Sequence, residues 1–188
     1  MKKNFNSCLA FFATAALLLA FPLPSFAQQN NQYQPLTFPD SLTRFDTEFF
    51  RLVNPESSID PQTKKNYYDP ALAKQFDAVI KQFSTLDKKL KQKLLSGPAA
   101  KGKYITVGTS TYIFYSACQA HACNTTDFVV LYQPEKQRLI GRLQYKCNVY
   151  PANNPTPQET SAINALSPIE SANSFYQEAC KYEKESHK

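Results

Sequence analysis

The spacing of apolar and polar positions changes character several times along the chain. Leu9 to Phe21 is an uncharged, largely apolar run behind Lys2 and Lys3. Gln28 to Pro39 is polar and rich in Gln and Asn, a composition that buries too little apolar surface to order itself, so a disordered segment is expected there. From Asp40 or Ser41, Leu42, Phe45, Phe49, Leu52 and Val53 recur at helical spacing and predict a short helix through Asn54. Pro55 to Tyr68 reads as a loop. Asp69-Pro70 then supplies an N-cap with proline at the first helical position. Leu72, Phe76, Val79, Ile80, Phe83, Leu86, Leu90 and Leu94 follow at intervals of three and four, Ser84-Thr85 is a candidate break, and Gly97-Pro98 ends the run.

Beyond that point the period falls to two. Tyr104–Val107 and Thr111–Ala117 read as strands joined by a tight turn at Gly108–Ser110. In the second strand Tyr112, Phe114 and Ser116 share one face, and Ile113, Tyr115 and Ala117 share the other. Phe128 to Tyr132 is continuously apolar, as in a central strand covered on both faces. Gln133–Gln137 is a turn, and Arg138 to Tyr145 is a further strand. Pro151, Pro155 and Pro157 suggest an irregular surface crossing. Ser167-Pro168-Ile169-Glu170 matches a capping box and predicts a last helix to about Lys184, with Ile169, Ala172, Phe175, Tyr176, Ala179 and Cys180 inward. The expected fold class is α+β, a single antiparallel meander sheet with helices packed against it.

The N-terminal run also has a processing signature. Positive Lys2 and Lys3, an apolar stretch short for a membrane span, and Ser25-Phe26-Ala27 predict a signal peptide over residues 1–27, cleaved after Ala27. Cys8 precedes the apolar run, which argues against a lipid anchor there. Removing 27 of the 188 residues leaves 161, one domain over residues 40–188 behind the segment 28–39, and lowers the formal charge from +6 to +4. No membrane span is expected after cleavage. Lys88, Lys89, Lys91 and Lys93 crowd one helix, but with no aromatic platform beside them they read as a solvated face, so no nucleic-acid partner is expected.

Four cysteines remain: Cys118, Cys123, Cys147 and Cys180. An even number in an oxidising compartment argues for two disulfides, and three pairings exist on paper. Cys118–Cys123 with Cys147–Cys180 is favoured because the first pair closes a tight local loop. That loop removes little chain entropy, so it is expected to shape a surface rather than to hold the fold together. It separates two strands and contains His121; His187 is the other histidine and lies near the C-terminus. Cys118, His121 and Cys123 lack a fourth ligand, and oxidation would remove both thiolates, so a metal site is not expected. The order of residues is wrong for haem attachment. Neither G-x-S-x-G nor H-E-x-x-H occurs, so no catalytic residue, cofactor or enzymatic activity is expected. Asn124-Thr125-Thr126 fits a glycosylation sequon, a weak signal.

Tyr112 through Cys123 resembles the inhibitor of vertebrate lysozyme family, called Ivy, periplasmic proteins of Gram-negative bacteria. The family signature is a Ser-Ala-Cys strand end running into a C-x-x-H-x-C loop, here Cys118, Gln119, Ala120, His121, Ala122 and Cys123. Strands Val107–Tyr115 and Phe128–Leu143 agree, so the resemblance covers about 45 residues. It implies a periplasmic inhibitor whose loop enters the cleft of a c-type lysozyme, with His121 bonded to the catalytic carboxylates. Such glycosidases set two carboxyl groups across the scissile bond, and an imidazole can offer a ring N–H to each side when protonated. The flanks differ from the family pattern: Gln119, Ala120 and Ala122 replace the usual basic residue, proline, and acidic or amide residue. A non-enzymatic binding module for another partner, such as a bacterial lytic transglycosylase, is the alternative. A purely structural envelope protein is the third reading, and a homodimer stays open.

Overall fold

Six strands lie in chain order across one antiparallel sheet: β1 (Gln34–Pro35), β2 (Lys103–Val107), β3 (Ser110–Cys118), β4 (Asp127–Gln133), β5 (Arg138–Tyr145) and β6 (Asn148–Ala152). The computed structural model describes residues 33–169 together with Glu178, Cys180 and Lys181. Pairing of Val107 with Ser110 leaves a two-residue β2–β3 turn whose first residue is Gly108 at φ 61°. That is the position where a tight hairpin turn needs positive φ, which glycine adopts without penalty. The β5–β6 turn is equally short, and there Lys146 (φ 49°) and Cys147 (φ 65°) take the left-handed conformation without being glycine.

Both faces of the sheet are covered. Ile113, Tyr115, Ala117, Phe128, Val130, Tyr132, Leu139 and Leu143 pack with Phe49, Leu52, Leu72, Phe76 and Leu90, which come from the helices α1 (Phe49–Val53), α2 (Pro70–Gln82) and α3 (Leu90–Leu94). Ile105, Val107, Tyr112, Phe114, Val129, Leu131 and Ile140 form a second cluster with Ala162 and Ile163 of α4 (Pro157–Leu166). The alternation expected within β3 is therefore observed, and the continuous apolar run of β4 follows from its burial on both sides. The fold is α+β, with a meander sheet between helices.

Several elements differ from expectation for identifiable reasons. The helix expected through Asn54 is instead a 3-10 segment (Asp40–Phe45) followed by α1. Between them Thr47 O accepts from Gly102 N at 3.0 Å and Glu48 bridges to Lys101, so the backbone leaves the helix to pair with the chain entering β2. Asp69 caps α2 as expected, accepting from Leu72 N at 2.8 Å. The following run breaks around Asp87, whose carboxylate accepts from Lys89 N at 2.7 Å and from Tyr145 Oη at 2.9 Å.

Gln34 and Pro35, within the stretch expected to lack structure, pair with Thr106 and Ile105 as a short edge strand. The proline-marked crossing contains β6 and α4. Pro151 is tolerated because β6 lies at the sheet edge, where a missing N–H costs no ladder bond. Thr156 carries a capping box that was not expected, with Pro157 at the first helical position and Glu159 reaching back; Ser167 ends α4, Pro168 and Ile169 lie outside any helix, and Glu170 of the expected box lies outside the described residues. Of the last expected helix, Glu178, Cys180 and Lys181 are helical and Cys180 is buried. Ala172, Phe175, Tyr176 and Ala179 lie outside the described residues.

Candidate functional site

β3 and β4 part at the pair Cys118↔Asp127, and the eight residues between them carry the candidate loop. Gln119 N donates to Thr126 O at 3.1 Å, which extends the ladder one step into the loop. Ala122 N then donates to Gln119 O at 3.0 Å and closes a four-residue turn. His121 is the third residue of that turn at φ 62°, where a type II turn requires positive φ and usually holds glycine or asparagine. Thr125 N and Thr126 N return to Ala122 O at 3.0 and 2.8 Å. Cys118 and Cys123 are joined by a disulfide with their Cα atoms 4.9 Å apart. Local bonds thus close the turn on itself, and the His121 side chain stands exposed at its tip.

Two neighbouring segments brace this loop from outside. On one side Ser96 Oγ accepts from Ala120 N at 3.1 Å and Gly97 N donates to Cys118 O at 3.0 Å. On the other, Gln144 Nε2 donates to Asn124 O at 2.8 Å and Cys147 N donates to Thr125 O at 3.1 Å. Cys147 is itself bonded to Cys180, so the second disulfide anchors the turn that holds the loop's far side. Of these four braces, Cys147 is expected from the sequence only as a disulfide partner, and Ser96, Gly97 and Gln144 are not among the expected site residues. Gly97-Pro98 was legible only as a helix stop, and the Lys146-Cys147 turn carries no turn-type signature.

From Gln119 to Thr126 the loop carries no Lys, Arg, Asp or Glu, so the imidazole is its one ionisable side chain. Behind it, Arg142 is buried and donates to Asn164 Oδ1 and Ser167 O, both at 2.9 Å, with Asp127 Oδ2 at 3.5 Å. Burial pushes the Asp127 carboxyl up, against the opposing pull of Arg142. These two side chains line a cavity of about 270 Å³ with Cys123, Asn124 and Gln144 at the base of the loop.

The expected loop residues Cys118, Gln119, Ala120, His121, Ala122 and Cys123 are therefore contiguous at one end of the sheet. They offer hydrogen-bond donors and acceptors but neither a free thiolate nor a carboxylate beside the imidazole. Among the described residues no cluster of three or more His, Cys, Asp or Glu side chains is arranged to hold a metal, and no helix is long and apolar enough to cross a membrane.

Comparison with curated proteins and with solved structures finds no match. A family model described as Inhibitor of vertebrate lysozyme (Ivy) matches residues 83–181. That range takes in α3, β2 to β6, α4, the braced loop and all four cysteines considered above. Since the match spans more than half of the 188 residues, the chain belongs to the Ivy family, inhibitors of vertebrate lysozyme.

Proposed function

We propose that this protein is a periplasmic inhibitor of c-type lysozyme that blocks the catalytic cleft by inserting His121. The family supports lysozyme inhibition as the general role, with lysozyme as partner, no enzymatic activity of its own, and a periplasmic location. The observation that carries the finer reading is the placement of His121, exposed at φ 62° on a turn closed by a disulfide and braced from two sides. A left-handed non-glycine residue costs roughly 1–2 kcal/mol, a cost that persists only where surrounding structure enforces it. Here the enforced conformation lifts an imidazole clear of the sheet.

The chemistry follows from the target. A retaining glycosidase holds two carboxyl groups about 5–5.5 Å apart, and a ring N–H can donate to a carboxylate in that space. The loop has no glycosidic bond to cleave, so the enzyme is occupied without turnover. Ordering a free loop would cost roughly 1–2 kcal/mol per residue on docking, and bonds already made within this loop reduce that loss. The leader 1–27 would deliver the protein to the periplasm, where the mature chain would begin at Gln28. Mass spectrometry of periplasmic protein tests that start.

Residual activity of a c-type lysozyme, titrated with this protein in the presence of a cleft-filling chito-oligosaccharide, tests the docking site. Competition supports insertion in the cleft, and inhibition unaffected by saturating oligosaccharide excludes it. The uncharged flanks Gln119, Ala120 and Ala122, with a net positive chain, favour a second reading. Such a surface gains no long-range steering toward a strongly basic lysozyme, and a bacterial lytic transglycosylase would be the alternative partner. Inhibition of the transglycosylase alone would select it.

A further inference from the structure

Helix α3 ends at Leu94, and the chain then runs beside the loop at the end of β3. Beyond the pair Lys103↔Phe114, the β2 side of β3 is covered by this segment, with Ala99 bridging to Ala117. Ser96 Oγ spends its one proton on Lys93 O at 2.7 Å, so its lone pairs face the loop and accept Ala120 N–H at 3.1 Å. Gly97 N donates to Cys118 O. A Cβ added to Gly97 would lie 2.3 Å from Cys118 O and 2.9 Å from Ala120 N, both of them backbone atoms that cannot swing aside. The contacts therefore land on the two residues, Cys118 and Ala120, that lead into His121.

We infer that Ser96 and Gly97 are positioning residues for the His121 turn: the serine hydroxyl fixes the Gln119–Ala120 peptide, and the glycine leaves room for the turn to seat against the end of α3. The peptide plane ahead of Ala120 sets the direction in which the next residue leaves, so its orientation governs where the imidazole points. This inference rests on the proposed insertion of His121 for its functional consequence, though not for its structural part.

Three variants of the full mature chain test it: Ser96→Ala, Ser96→Thr and Gly97→Ala. Each is read by inhibition of a c-type lysozyme and by amide hydrogen exchange at Ala120 and Ala122. Loss of one acceptor predicts inhibition weakened about three- to tenfold in Ser96→Ala, with faster exchange at both amides. Ser96→Thr keeps the hydroxyl and is expected to restore both readouts, a rescue that a general loss of packing would not give. Gly97→Ala is expected to weaken inhibition further. Unchanged exchange at Ala120 and Ala122 in Ser96→Ala overturns the inference, as does faster exchange with undiminished inhibition. Should the wild-type protein inhibit no c-type lysozyme, the proposed target fails; unchanged exchange would still overturn the brace, and faster exchange rescued by threonine would still support it.

Discussion

Replacing Glu159 with glutamine should remove most of one step in the acid stability of the fold. Glu159 sits on the first turn of α4 with its side chain 6% exposed. Its carboxylate accepts from Arg138 Nη1 and Nη2, from Tyr112 Oη at 2.7 Å, and from Thr156 N at 2.7 Å. Burial works to raise its pKa, but these bonds outweigh it and hold the carboxyl at about 2 instead of 4.5. A depressed folded-state pKa stabilises the protein above the unfolded value, and the contribution is lost as pH falls through the folded one. That shift is worth about 3 kcal/mol, present above about pH 5 and lost between about pH 4.5 and 2. Glutamine keeps an acceptor for the cap and loses the charge. Urea unfolding from pH 7 to pH 2 should therefore show the variant less stable by about 3 kcal/mol at neutrality, with the two curves converging near pH 2. Among the described residues, Asp87, also held at about 2, and Glu48 and Asp60, both lowered, add slope in the same sense, while Asp127 acts in the opposite one. Parallel curves, separated equally at every pH, would show that the Glu159 charge is not the source of this step.

Two further substitutions probe the frame that carries the loop. Phe76 is fully buried, its ring 5.1 Å from that of Phe49 and 5.7 Å from that of Phe128, so Phe76→Ala should cost about 3–5 kcal/mol in urea unfolding. A loss under about 1.5 kcal/mol would contradict its place between helix and sheet. Serine at both Cys147 and Cys180 opens a loop of separation 33 and should cost about 4 kcal/mol, against about 2 for the pair separated by 5. Equal losses by chemical denaturation would contradict the division between a bridge that stabilises and a bridge that shapes.

What could be read from the sequence depended on whether the signal was local. Alternation in Tyr112 to Ala117, the Asp69-Pro70 helix start and the glycine of the β2–β3 turn are properties of neighbouring residues, and the structure shows each of them. The strand at Asn148–Ala152 was obscured by Pro151, whose acceptability depends on β6 being the last strand of the sheet. Thr156 to Glu159 and Ser167 to Glu170 present the same capping signature. The first caps α4, whose Ala162 and Ile163 reach the sheet, whereas Glu170 of the second lies outside the described residues. His121 stood out through the spacing of its cysteines. Ser96 did not, since its bond to Ala120 joins residues 24 apart and leaves no periodic trace.

In the proposed mode of inhibition the His121 imidazole makes the decisive contact with the enzyme. The most direct measurement is the dissociation constant for a c-type lysozyme with wild-type protein and with His121→Ala. Losing a hydrogen bond to a charged group predicts at least tenfold weaker binding of the variant, with its unfolding curve little changed because the side chain is exposed. Equal dissociation constants for the two proteins would rule out insertion of His121 as the source of affinity.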